Sequence, residues 1–191
     1  MFRGQMKRTL FVLLGCALLM AGLLCTPPGA YSFDGSRLDG RWKLVPGQSA
    51  SIDPWSDLIL DIRVDGSHAT IVKRFSAGSP LDRRVDSMTV NLRGEEEIVS
   101  VPSGRWLGEV SMGIYYGPHT KRQVKARMSE SRGALQIDSR ETVQTAQGSV
   151  EVDVREIFTP SPDGSTIQWH VTRSTRLSGP PLAYTFSRVT Q

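Results

Sequence analysis

The clearest pattern in the chain lies in Val150–Ser174. Val150, Val152 and Val154 alternate with Glu151, Asp153 and Arg155. This is the period-two signature of a strand with one dry face and one wet face. Ile167, Trp169 and Val171 alternate in the same way with Gln168, His170 and Thr172. Ser161-Pro162-Asp163-Gly164 stands between the two runs. Proline presets φ at the second turn position and glycine tolerates positive φ at the fourth, which favours a type I turn with a bulge. The segment is predicted to be a β-hairpin of an antiparallel sheet that meets water on one side.

The same rhythm runs through the chain after residue 32. Gly40–Val45 is predicted as the first strand, ended by Pro46-Gly47, with loop up to Pro54. Asp57–Val64 sets Leu58, Leu60, Ile62 and Val64 on one face, and Asp65-Gly66 is a hairpin turn signal before a strand at His68–Phe75. Ser76–Asp82 is predicted as loop. Asp86–Leu92 and the weaker Glu96–Val101 flank a turn at Arg93-Gly94, and Pro102–Gly104 breaks the second. Arg105–Gly117 is the least regular stretch. Arg122–Met128, Leu135–Val143 and Ala183–Val189 complete the pattern, with turns at Gly133, at Gln147-Gly148 and at Gly179-Pro180-Pro181. Roughly ten strands in about 160 residues is the spacing of an antiparallel sandwich or barrel.

The first 32 residues have a different pattern. Arg3, Lys7 and Arg8 precede an apolar run from Leu10 to Leu24, and Ala30-Tyr31-Ser32 places small residues at the −3 and −1 positions of a cleavage site. This is the layout of a secretory signal peptide over residues 1–32, with cleavage after Ala30 as the other option. Residues 33–191 are then expected to form a single β-barrel domain. The apolar run is short for a membrane span, which takes about twenty residues. An uncleaved anchor is the alternative, as is a lipidated cysteine at Cys25 or Cys16. Both cysteines of the chain lie in this leader, so the remaining domain is cysteine-free and has no disulfide or thiol chemistry.

The leader also accounts for much of the basic charge. The chain has 23 Lys+Arg against 19 Asp+Glu, and three of the basic residues lie in the leader. The domain is therefore nearly neutral, and no nucleic-acid partner is expected. The lone asparagine, Asn91, is followed by Leu-Arg, so no glycosylation sequon exists.

Leu38-Asp39-Gly40-Arg41-Trp42-Lys43-Leu44 resembles the opening Gly-x-Trp strand of lipocalins and their bacterial relatives. Glu156–Gly164 resembles the late Ser-Pro-Asp-Gly hairpin of small secreted bacterial lipocalin-like proteins. Tyr184–Val189 resembles the closing strand of the calycin group, which includes fatty-acid-binding proteins. The resemblance covers the first, late and last strands, and Ser76–Gly133 departs from it. It implies an antiparallel up-and-down lipocalin-like barrel of about 8–10 strands, and by analogy apolar-ligand binding.

Within that resemblance Trp42 is expected to plug the closed end, with Arg188 packed over its face as a cation–π cap. Tyr184, Phe186 and Arg188 share a face by period two. If that face points inward, Arg188 could instead pair bidentately with a ligand carboxylate. Trp169 and Arg173 continue a neighbouring inward face, with Arg173 expected at a rim. Trp106, Tyr115 and Tyr116 form an aromatic portal, a partner patch or, as aromatics in an irregular segment more often do, a cover over one end of the core. His68, His119 and His170 lack metal-ligand spacing, and Glu95-Glu96-Glu97 is expected to be a solvated loop, so no metal or cofactor is expected. Lys121, Arg122, Gln123, Lys125 and Arg127 are expected on the outer face of their strand, with Val124 and Ala126 inward; a basic face of this kind could meet an anionic envelope surface. No nucleophile elbow, phosphate loop or catalytic triad context is present.

These features lead to an exported protein, periplasmic or extracellular, that binds a small hydrophobic or amphipathic ligand or lipid. The alternative is an envelope protein with a filled core that meets a surface or protein partner through its outside, with Arg105–Thr120 as the expected contact. An enzyme ranks third. The oligomeric state is not legible in the sequence.

Overall fold

The computed structural model describes residues 35–79, 83–105, 114–129, 133–175 and 180–190. The expected signal peptide lies outside the described residues, as does Trp106. Among the described residues there are twelve strands: β1 Gly40–Leu44, β2 Asp57–Asp65, β3 His68–Ser76, β4 Arg83–Asn91, β5 Arg93–Ser100, β6 Gly104–Arg105, β7 Tyr115–Tyr116, β8 Lys121–Met128, β9 Leu135–Thr145, β10 Gly148–Pro160, β11 Thr166–Arg173 and β12 Leu182–Arg188. The one helical turn among the described residues is a single 3-10 turn, Pro46–Gln48.

Ten of the strands form an antiparallel ring in the order β4-β3-β2-β1-β12-β11-β10-β9-β8-β5. Apart from the β6–β7 excursion, ring order follows chain order. The fold is thus an all-β, nearly closed, up-and-down barrel, as the period-two pattern predicts. β4 and β5 are joined through Leu92 but share no ladder. Side chains bridge that seam instead. The Glu97 carboxylate accepts the Asn91 N–H at 2.5 Å, and Arg84 donates to the carbonyls of Pro102 and Ser103 at 2.6 Å each.

Several boundaries differ from the sequence reading. The strand expected from Asp86 begins at Arg83, where it continues the pairing with β3. Glu95–Glu97 belongs to β5 rather than to a loop, and Arg93 and Glu96 flank a bulge against β8. The irregular Arg105–Gly117 stretch contributes two short strands, β6 and β7, which pair with each other; β7 lies beside β9 beyond the end of β8.

The inward faces build one large apolar cluster that includes Trp42, Leu60, Ile71, Phe158, Trp169 and Phe186. A smaller one contains Val101, Tyr116, Val143 and Val152. Trp42 is fully buried and its indole N–H donates to Leu38 O at 3.0 Å. The Arg188 guanidinium lies 4.1 Å from the Trp42 ring centroid. It donates through Nε to Gly164 O at 2.8 Å, through Nη1 to Asp39 O at 2.7 Å and through Nη2 to Arg37 O at 3.0 Å. One arginine thus ties together the last strand, the late hairpin turn and the entry to β1.

Gly40 makes room for that arrangement. Its φ is +138°, and a Cβ there would stand 2.6 Å from Arg188 Nη1. Gly40→Ala should therefore lower stability by about 1–3 kcal/mol in urea unfolding. Arg188→Ala in the same chain should remove the clash but leave the backbone cost.

Candidate functional site

Between the two apolar clusters the barrel carries a layer of buried charge. Its cations are Lys73, Arg122 and Arg173; its carboxylates are Asp86, Glu141 and Glu156, and all six are less than a tenth exposed. Strand register brings them together. Lys73 on β3 stands directly opposite Asp86 on β4, and Arg122 on β8 directly opposite Glu141 on β9. Glu156 and Arg173 enter from β10 and β11 on the same inward parity as Phe158 and Trp169.

The contacts are close. Lys73 Nζ lies 2.5 Å from Glu156 Oε1 and 3.7 Å from Asp86 Oδ2. Arg122 Nε lies 2.7 Å from Glu141 Oε2, and its Nη1 3.5 Å from Asp86 Oδ2. The Tyr116 hydroxyl donates to Glu141 Oε2 at 2.9 Å and accepts from Arg122 Nη2 at 3.0 Å. Lys73 Nζ also sits 4.9 Å from the Trp169 ring centroid. The Arg122–Asp86 contact crosses the seam between β4 and β8, where no ladder runs.

Electrostatics follows from this geometry. Burial disfavours the Asp86 anion, but the fields of Arg122, Lys73 and Arg84 outweigh it and hold the carboxyl below its usual range. Burial likewise opposes the Arg122 cation, yet Asp86, Glu141 and Tyr116 raise its pKa well above the ordinary value. Burial pushes the Tyr116 phenol up, so it stays protonated as a donor. Because the folded pKa of Asp86 is depressed, its contribution is complete above the unfolded value of about 3.9 and is lost as pH falls through the folded value. Asp86→Asn should therefore cost about 1–3 kcal/mol near neutral pH. In urea titrations the gap between variant and native chain should close below about pH 4.

Three cations face three carboxylates in a layer that leaves a cavity of about 40 Å³, which accommodates one or two waters. The chemistry is that of an ionic clamp. Among the described residues no cluster of His, Cys, Asp and Glu is arranged to hold a metal.

No protein-family model matches this chain, and no curated protein matches it. The barrel is compatible with the lipocalin-like resemblance at the level of fold.

The sequence-expected residues fall in three places. Trp42 and Arg188 form the closed end described above, with all three donor nitrogens of Arg188 on backbone carbonyls. Trp169, Tyr184 and Phe186 belong to the apolar cluster. Trp169 stacks on Phe158 with centroids 5.7 Å apart and tilts against Tyr184 at 4.7 Å. Arg173 is buried at the edge of the ionic layer, in register with Val154, rather than exposed at a rim. Arg122 is a correction. It points inward with Val124 and Ala126, because parity along a strand overrides the charge it shares with Lys121 and Lys125. Tyr116 is buried and Tyr115 half exposed, so the two tyrosines do not share a role.

A second feature lies outside the barrel. The outer faces of β5 and β8–β11 form an open groove of about 540 Å³. Its floor is a ladder of alternating charge. Lys125, Asp138 and Arg155 stand in register across three strands, as do Gln123, Arg140 and Asp153. Arg155 Nε lies 2.5 Å from Asp138, and Arg140 Nε 2.7 Å from Asp153.

Proposed function

We propose that the protein is an exported, non-enzymatic binding protein that meets its partner through the outer wall of the barrel, along the groove over β5 and β8–β11. The supporting observation is the contrast in space between the two sides of that wall. Small-molecule sites run to about 300–1,000 Å³. The groove of about 540 Å³ falls in that range, whereas the interior cavity of about 40 Å³ does not. A hydrophobic ligand inside would have to displace the Phe158–Trp169–Tyr184 stack or break the ionic layer. Export rests on the leader pattern.

The test is site-specific photo-crosslinking in cells that export the full chain. Crosslinkers at Lys125 and Thr172 in the groove should give an adduct, and one at Thr70 on the outer face of β3 should not. Adducts at Thr70 alone, or at none of these positions, would contradict the reading.

A further inference from the structure

We infer that the groove over β5 and β8–β11 recognises a zwitterionic ligand, a short peptide with free ammonium and carboxylate ends. The inference rests on the groove being the binding surface. Its first support is charge. The lining side chains that face solvent, fully or in part, are three carboxylates, Glu96, Asp138 and Asp153, and three cations, Lys125, Arg140 and Arg155; the other charged lining residue, Arg173, is buried on the inward face. Such a lining has no net charge, so it favours neither a polyanion nor a polycation. Opposite signs alternate at the inter-strand spacing of about 4.8 Å, a pattern that matches a dipolar molecule.

The second support is which of these charges are engaged. Asp138 and Arg155 satisfy each other, as do Arg140 and Asp153. Glu96 and Lys125 are cross-strand partners by register, yet among the described residues neither forms an ion pair. Glu96 ends the row on β5 and Lys125 stands next to it, between Glu96 and Asp138; both are exposed, one able to receive an ammonium and the other a carboxylate. The remaining lining suits amide groups. Gln123 and Thr172 offer both donors and acceptors. The Ser174 hydroxyl oxygen accepts the Asp153 N–H at 3.0 Å, which leaves its proton to donate.

The same lining argues against a quaternary ammonium headgroup. Those cations are held by aromatic faces, and among the described residues no aromatic lines the groove. A primary ammonium, which hydrogen-bonds a carboxylate, fits Glu96.

The test is NMR titration of the exported full-length protein with trialanine, alongside its N-acetylated and its C-amidated forms. Shifts should map to β8–β11, and each blocked form should bind about two- to fivefold more weakly, the range expected for one exposed ion pair. Glu96→Gln should abolish the penalty for acetylation and leave that for amidation; Lys125→Gln should do the reverse. Both positions are exposed, so the variants should fold. Equal binding of blocked and free peptides in the groove would overturn the zwitterion inference while leaving the groove as a binding surface. No shifts in the groove with any of the three, together with crosslinks from Lys125 and Thr172 to a partner, would overturn it in the same way. Failure of those crosslinks would remove the reading beneath it.

Discussion

Arg122→Ala should destabilise the barrel by about 3–5 kcal/mol, the cost of leaving a buried partner charge uncompensated. Arg122 is the hub of the ionic layer. It touches Glu141, Asp86, the Tyr116 hydroxyl and the Met88 sulfur from one side chain. Its removal takes the guanidinium away from two buried carboxylates, while Asp86 keeps Lys73 at 3.7 Å and Glu141 keeps the Tyr116 hydroxyl. It also cuts the ionic link across the β4–β8 seam, where no ladder hydrogen bonds compensate. For a chain of this length the melting temperature should fall by about 10 °C or more. The loss belongs to the carboxylates deprived of the guanidinium, so a triple variant with Arg122→Met, Asp86→Leu and Glu141→Leu should recover much of it. Differential scanning calorimetry of the two variants separates the ideas. An Arg122→Ala cost below about 1 kcal/mol, the range of an exposed pair, would mean that the layer is hydrated and carries little of the fold.

Trp42→Ala should cost a similar amount, about 3–5 kcal/mol. The indole is fully buried, satisfies Leu38 O and supplies the surface on which Arg188 lies. The loss has two parts, a cavity at the closed end and a guanidinium without its aromatic face. Arg188→Ala alone should cost less, because the cation–π contact contributes about 0.5–2 kcal/mol and water can replace the arginine at the exposed carbonyls. A double-mutant cycle in urea should return a coupling of about 0.5–2 kcal/mol between the two residues. Additive effects would show that the stacking is incidental.

Much of the fold is legible because a half-buried antiparallel strand writes its orientation in every second residue. The Val150–Ser174 hairpin and the Asp65-Gly66 turn follow from local pattern and turn chemistry, whereas the placing of Arg188 over Trp42 is implied only by the lipocalin-like resemblance. The ionic layer is harder to read. Lys73 interrupts Ala69, Ile71 and Phe75 only once, and Glu141 and Glu156 each interrupt an apolar face only once. Their partners lie far away in the chain: Lys73 and Glu156 are 83 residues apart, Arg122 and Asp86 36. Charge similarity also misleads at β8, where grouping Arg122 with its basic neighbours hides its parity with Val124 and Ala126. Strict parity would have flagged all five of these polar positions as inward, and five inward charges on five strands are a layer. The groove is less legible still. It depends on how the outer faces of several strands curve together, and no local pattern encodes that.

The proposed function sets a barrel interior packed with buried side chains against an outer wall open to a partner. Organic extraction of protein purified without detergent from an export host, followed by mass spectrometry, tests it most directly. The filled interior predicts no stoichiometric small molecule in the extract, from the native chain or from Arg122→Ala. One lipid or other apolar molecule per chain, lost when Trp169 is replaced by alanine, would place a ligand inside the barrel and contradict the account.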